Sequence, residues 1–477
     1  MLTYHLDPAS RTPLYEQLYL AIRRDIMDGM LAAGERLPSK RRFAEHLKVG
    51  QITVEAAYGQ LVAEGYVISR PRAGYFAAAI ERAPRAAQQT AANPDASDPD
   101  SFDQTASKDA PEIVRDFRTN IVDTARFPFS TWARETRSVL TDYADTLLTA
   151  APPQGALPLR EQIRQYLYAF RGLTVDVDQI VVGAGSEYLL TLLTLLLGRD
   201  RLYSLENPGY PKLDQIFRGA GASVVPIPLD RQGLRLDALR RSGASVVYLT
   251  PSHHFPLGVV MPVGRRMALL RWAAETDDRY LIEDDYDSEF RYASRPIPAM
   301  KQLDHADRVI YLNTFAKSLA PSLRIAYMVL PRRLLAEYRE KFGFYSSTVP
   351  SFEQYTLARF LADGGFERHV ARSRNLYKSR RDALLAALRN GPLGPRLTIT
   401  GAEAGLHILV QVAGSRDEAA LIADAACEGV RVYGLSGYYA VGTRGIPPAT
   451  VILGYSGMDA DALRDGAARL ARAWAEP

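Results

Sequence analysis

Five short apolar runs in the chain are each followed at once by residues able to do chemistry. Gln179–Val182 leads into Gly183-Ala184-Gly185-Ser186-Glu187 and the start of a helix. Small residues there let backbone N–H groups close on an anion, which a helix N-terminus favours. Arg201–Leu205 leads into Asn207-Pro208-Gly209-Tyr210, where Tyr210 can stack on a ring. The run ending at Leu249 leads into Thr250-Pro251-Ser252-His253-His254-Phe255-Pro256. Tyr280–Glu283 leads into Asp284-Asp285-Tyr286, and Arg308–Leu312 into Thr314-Phe315-Ala316-Lys317, with Arg324 beyond. Taken singly these are ordinary: a carboxylate at a strand end is often a cap, and a lone lysine is usually a surface residue. The two histidines read as polar loop residues, since no partner lies at metal-ligand spacing. Together the five turns supply a lysine for an imine, an acid for a ring nitrogen, a cradle for phosphate and aromatic partners for a ring. In an open α/β sheet such groups belong just past the C-terminal ends of strands.

A second constellation lies near the N-terminus. Leu14, Leu18, Ile22 and Ile26 recur at helical spacing until Gly29. Leu37-Pro38-Ser39 opens a second helix, with Ser39 as its cap and Lys40, Arg41 and Arg42 in its first turn. After Val49-Gly50 a third helix carries Val54, Ala57, Tyr58 and Leu61 on one face, with Gln51 and Thr53 at its start. Tyr66-Val67-Ile68 and Gly74-Tyr75-Phe76 read as two strands around the basic turn Arg70-Pro71-Arg72. Three helices and a hairpin form a winged helix-turn-helix layout. In that layout the third helix enters the major groove, where Gln51 suits an adenine edge. The cations at 40–42 suit phosphates or a guanine edge, and Arg70 and Arg72 on the wing suit the backbone or the minor groove. Residues 1–80 are only weakly basic, so the DNA reading rests on where the charges sit.

The elements that must position these groups divide the 477-residue chain into three segments. Residues 1–78 hold the winged helix. Residues 79–112, rich in Ala, Pro, Asp, Ser and Gln, read as a flexible linker spanning roughly 30–35 Å. Residues 113–477 alternate strands and helices, which argues for an α/β domain with a mostly parallel, doubly covered sheet and a smaller α/β subdomain from about 335 to 477. A hydrophobic content of 47% and a net charge of +4 are ordinary for a soluble protein. The N-terminus has no signal pattern, and the densest apolar stretch, Tyr188–Gly198, is too short to span a bilayer and reads as a buried helix. A cytoplasmic protein without a membrane partner follows. The single cysteine, Cys427, excludes an internal disulfide and reads as a small core residue.

The ordered strings carry a resemblance. Leu14-Tyr15, Gly29, Gly34, Leu37-Pro38-Ser39, Arg42, Thr53-Val54, Ala57-Tyr58 and Glu64-Gly65 resemble the GntR-type winged helix. "PQGALPLREQI", "ENPGY", "YLTPSHHFPLGVVMP", "IEDDYDSEFRY" and "YLNTFAKSLAPSLRIAY" resemble a fold-type I aminotransferase domain. The joined architecture resembles the MocR/GabR-type transcriptional regulators. The resemblance implies pyridoxal 5'-phosphate (PLP) as cofactor, with Lys317 holding it as a Schiff base and Asp284 pairing with the pyridinium nitrogen. It further implies Tyr286 on the phenolic oxygen, Tyr210 against the ring, and Gly185, Ser186, Glu187, Thr314 and Arg324 around the phosphate, with His253 a less certain neighbour of the ring. It implies a homodimer, head-to-tail, with two winged helices on two half-sites of a double-stranded DNA operator.

The departures also speak. Gly50-Gln51 stands where the family has Ser-Arg, Ala316 where a serine commonly precedes the lysine, and Leu148–Pro152 holds no tyrosine. Ile452 stands where aminotransferases carry a carboxylate-gripping arginine, and an apolar side chain cannot replace that fork. Arg444 is a nearby substitute. The expected function is a PLP-dependent regulator that senses PLP itself, as PdxR-type members controlling vitamin B6 synthesis do, or a PLP-linked amino compound. The alternatives are an active aminotransferase with an appended DNA-binding domain, and a regulator whose cofactor site has decayed.

Overall fold

The computed structural model describes residues 2–10, 12–71, 73–79, 112–119, 121–292 and 298–475. The chain divides into two compact units, Met1–Asp98 and Pro99–Pro477. The linker expected at 79–112, apart from its two end residues, and Arg72 of the wing lie outside the described residues.

In the first unit, α1 (Leu14–Asp28), α2 (Lys40–Leu47) and α3 (Gln51–Ala63) precede an antiparallel hairpin of β1 (Val67–Arg70) and β2 (Gly74–Ala77). Gly29 ends α1 at a φ of 77°, a left-handed conformation that glycine adopts without a Cβ clash. Leu18, Ile22, Phe43, Val54, Tyr58 and Leu61 are buried together, so the three apolar faces meet in one core. Each such side chain contributes about 1.5–3 kcal/mol on burial. The Tyr58 hydroxyl donates to the Pro38 carbonyl (2.9 Å), tying α3 to the entry of α2. Ser39 accepts a long hydrogen bond from the Arg42 N–H (3.4 Å) and caps α2 as expected. This is a winged helix-turn-helix.

The second unit is built on a sheet of β3 (Ile180–Gly183), β4 (Leu202–Asn207), β5 (Ser223–Asp230), β6 (Gly233–Leu234), β7 (Val246–Leu249), β8 (Tyr280–Asp284), β9 (Val309–Thr314) and β10 (Ala326–Val329). The spatial order is β3-β10-β9-β8-β7-β4-β5-β6. Strands β9, β8, β7, β4 and β5 pair in parallel; β10 runs antiparallel to both its neighbours, and β6 is antiparallel to β5. Strand β3 therefore points the same way as β9, and the C-terminal ends of β3, β4, β7, β8 and β9 share one edge. Alternation along β9 shows why its sequence is apolar throughout. Ile310 and Leu312 enter one core cluster, while Val309 and Tyr311 enter clusters on the other face. The apolar stretch at Tyr188–Gly198 forms most of α4 (Ser186–Leu197), whose leucines cover the sheet.

A second, antiparallel sheet of β11 (Leu397–Thr400), β12 (His407–Val412), β13 (Tyr433–Gly434) and β14 (Thr450–Gly454) has the order β11-β12-β14-β13. It packs with α5 (Gly365–Asn390), α6 (Glu418–Cys427) and α7 (Ala460–Ala473) around a core of its own. Its boundary differs from the expected 335. Leu334, Tyr338 and Phe342 pack into the large-sheet core, and so do Leu357 and Phe360. The changeover falls inside α5: Phe366 and Val370 face the large core, and Tyr377 and Leu384 the small one. Phe117, far upstream, joins the small core as well. Cys427 is a correction: it ends α6 exposed, because the buried face of that helix is Leu421 and Ala425. Among the described residues no helix is long and apolar enough to cross a membrane.

Candidate functional site

The shared strand edge opens into a cavity of about 780 Å³. Gly185, Ser186 and Glu187 line it from the β3–α4 turn, and Tyr210 from the segment after β4. Asp284 and Tyr286 reach it from β8, and Thr314, Lys317 and Arg324 from β9 and the loop after it. Nine of the ten cofactor residues expected from sequence thus converge on one space. The tenth, His253, is not among the lining residues. It sits in a small separate pocket with Arg171, Ser252 and Asp287. There its Nδ1 lies 2.7 Å from Asp287 Oδ2 and 3.3 Å from the Tyr286 hydroxyl, so it meets the cavity through Tyr286.

Asp284 is the electrostatic centre. Burial pushes its carboxyl up to about 7, against hydrogen bonding from Tyr248 and the positive charge of Lys317, which lower it. The Tyr248 hydroxyl, itself buried, donates to Asp284 Oδ2. Oδ1 is buried without a partner. A buried carboxylate oxygen left open beside a cavity is costly unless a donor completes it, and the N–H of a protonated ring is such a donor. Alternation at the end of β8 separates the two consecutive aspartates. Asp285 turns to the opposite side, where Arg171 (2.9 Å) and the Tyr311 hydroxyl (2.6 Å) hold it.

The anion cradle is built around Gly185, whose φ is 95°. A Cβ there would collide with the Arg324 guanidinium, so only glycine allows the turn and the arginine to approach this closely. Arg324 Nη2 lies 2.5 Å from Glu187 Oε2. Burial raises the Glu187 carboxyl, but its own backbone N–H and Arg324 outweigh burial and hold it below the usual range. A planar guanidinium and the first N–H groups of α4 at one place fit a phosphate. The residues present therefore fit a phosphorylated pyridine at both of its ends.

Several contributors were not singled out from sequence. Tyr248 lies on β7, and only its pairing with Ile282 in β8 puts it on the same face as Asp284, two residues further along. Glu206, at the end of β4, lines the cavity and accepts from the Thr250 N–H (2.9 Å) and hydroxyl (2.8 Å). Burial pushes it up to about 7, against those two hydrogen bonds. Ile452 is fully buried in an apolar cluster with Leu409 and Leu435, beneath Tyr438 and Tyr439. The two tyrosines line the cavity; Ile452 and the exposed Arg444 do not.

In the winged helix Gln51, Arg41 and Arg42 are exposed, Thr53 is half-buried, and Ser39 is exposed beside its cap. Arg41 pairs with Glu45 (3.1 Å) on the surface. Lys40 is drawn inward, 2.5 Å from Glu55 and over the Tyr75 ring, and Arg70 packs over Phe76.

Comparison with known proteins places both parts. The bacterial regulatory proteins of the gntR family match residues 14–76, and the aminotransferases of class I and II match residues 113–470. A "probable rhizopine catabolism regulatory protein MocR" of Rhizobium meliloti is 33% identical over 97% of this chain and 94% of its own. The HTH-type pyridoxine biosynthesis transcriptional regulator PdxR of Corynebacterium glutamicum is 32% identical over 96% and 95%. Among solved structures, the multiple substrate aminotransferase of Thermococcus profundus superposes with a TM-score of 0.67 at 26% identity, covering 77% of this chain and 91% of that one.

Proposed function

This chain belongs to the MocR-type transcriptional regulators, in which a gntR-family DNA-binding domain precedes an aminotransferase class I and II domain, and from that premise we propose that it regulates transcription by sensing PLP or a PLP-linked amino compound. The observation that carries the proposal is the open, buried Oδ1 of Asp284 in a cavity shared with Lys317 and Arg324. When bound, PLP supplies an electrophilic aldehyde and an electron-withdrawing ring. Lys317 would supply the amine that holds the cofactor. Asp284 would keep the ring nitrogen protonated, its carboxylate oriented by Tyr248. Tyr286, with His253 and Asp287 beside its hydroxyl, would meet the phenolic oxygen, and Tyr210 would stack against the ring. Gly185, Ser186, Glu187, Thr314 and Arg324 would hold the phosphate.

A sensor rather than an enzyme is favoured by Ile452. Its place is filled by a closed apolar cluster, which offers nothing to the carboxylate of an amino-acid substrate. The effector is then PLP itself, the reading nearest to a pyridoxine-biosynthesis regulator, or an amino compound anchored in another way. We further propose a cytoplasmic homodimer, head-to-tail, in which PLP changes operator affinity by binding two arrangements unequally. Fluorescence anisotropy of an operator duplex tests this. PLP should shift the affinity of the wild type and leave that of Lys317→Ala unchanged. An affinity indifferent to PLP in both proteins overturns the proposal, and steady turnover of an amino donor with a keto acid overturns its non-enzymatic part.

A further inference from the structure

The winged helix carries an exposed isoleucine where exposure has no structural use. The apolar residues that build the core, Val54, Ala57, Tyr58 and Leu61 on α3, are fully buried, whereas Ile52 is 82% exposed. It stands in the first turn of α3 beside the exposed Gln51, after a cap, Gly50, that contributes no side chain. The exposed stripe continues through Glu55, Ala56 and Gly59. Ala56 and Gly59 add almost no bulk, and a Cβ on Gly59 would meet nothing within 4 Å, so nothing in the domain requires a glycine there. A mid-helix glycine destabilises a helix relative to alanine. A flat outer face of this kind lets the helix sit close against whatever it docks on.

The types in the first turn select among base pairs. Guanine is read best by a bidentate arginine or lysine, and cytosine by a carboxylate. The first turn of α3 has no charged residue, and the Glu55 carboxylate in the next turn is engaged by Lys40 at 2.5 Å. An amide matches the donor–acceptor pair on adenine, and an apolar side chain matches the C5-methyl of thymine. We infer that the first turn of α3 reads an A·T step in each operator half-site, Gln51 from the adenine edge and Ile52 from the thymine methyl. The inference rests on the proposal that this domain binds an operator through α3. On this assignment the base preference comes from α3, and Arg41 and Arg42, exposed at the start of α2, are left to phosphate contacts.

Selection of duplexes from a randomised pool by the full-length protein, followed by competition binding, tests the assignment. The selected half-sites should share an A·T pair whose replacement by G·C weakens binding at least about five-fold. Replacing its thymine by deoxyuridine removes one methyl and should weaken the wild type about four-fold. The same replacement should leave Ile52→Ala unaffected. Gln51→Arg should move the selected pair towards G·C. Half-sites built on an invariant G·C core, or equal affinity for thymine and deoxyuridine duplexes, overturn the inference. A pool that yields no shared sequence overturns the operator reading beneath it.

Discussion

Tyr248→Phe isolates the part of the site that tunes Asp284. The substitution keeps the buried ring and removes only the hydroxyl that donates to Asp284 Oδ2. A hydrogen bond to a charged group is worth about 1.5–3 kcal/mol, or roughly one to two pKa units. Burial already pushes Asp284 up to about 7, and Tyr248 works against burial, so its loss moves the carboxyl higher still. At pH 7.5 roughly three-quarters of the wild-type groups are ionised, against about a quarter to a thirtieth in the variant. If cofactor binding needs the carboxylate, apparent affinity for PLP falls roughly three- to twenty-five-fold at that pH. Titrations of PLP followed by absorbance from pH 6.5 to 9 measure the ratio of the two affinities, in which the cofactor's own ionisation cancels. The ratio should be largest at low pH and approach one as pH rises. A ratio constant across the range is what a packing defect gives, and it would refute the link from Tyr248 through Asp284 to the ring.

Three further outcomes follow from the same geometry. Glu206 is a carboxyl whose pKa rises on folding, so the stability it contributes is complete below its ordinary value of 4.5 and is lost as pH climbs towards 7. Glu206→Gln should therefore gain on the wild type between those pH values by up to about 3 kcal/mol, read as chemical-denaturation curves of the cofactor-free protein at pH 5 and pH 8; equal differences at both pH values would contradict it. Gly185→Ala forces a Cβ into the Arg324 guanidinium at a φ of 95°, and should weaken PLP binding roughly ten-fold or more while the circular dichroism spectrum stays unchanged; wild-type affinity would show that the cradle is elsewhere. Arg42→Ala should lower the salt dependence of DNA binding by about one charge without altering sequence preference, measured from log affinity against log salt.

The fold was legible because its signals were local and redundant. The buried strand β9 is apolar on both faces, and each strand of the shared edge ends in a turn with polar residues, glycine among them after β3 and β4. The residues expected to hold a cofactor lie in those turns, and nine of the ten line one cavity. Signals that depend on register were not legible. Tyr248 looks like any strand tyrosine until β7 and β8 are aligned, and nothing in the sequence pairs His253 with Asp287 or sets it outside the cavity lining. The smaller subdomain was placed by sequence position, but α5 passes through both cores and Phe117 returns to the second from far upstream. Residue type alone puts Cys427 in the interior, whereas its place at the end of α6 leaves it exposed. By residue type Ile52 is no different from its buried neighbour Val54, and only exposure separates the two.

The most direct test of the central claim is the absorbance spectrum of the purified protein with PLP, recorded beside Lys317→Ala. A band near the visible edge in the wild type, absent from the variant, is the predicted result, since Lys317 is the amine in the cavity that also holds Asp284 and Arg324. Identical spectra, each the sum of protein and free PLP, would contradict the account and leave the second unit a scaffold without a cofactor.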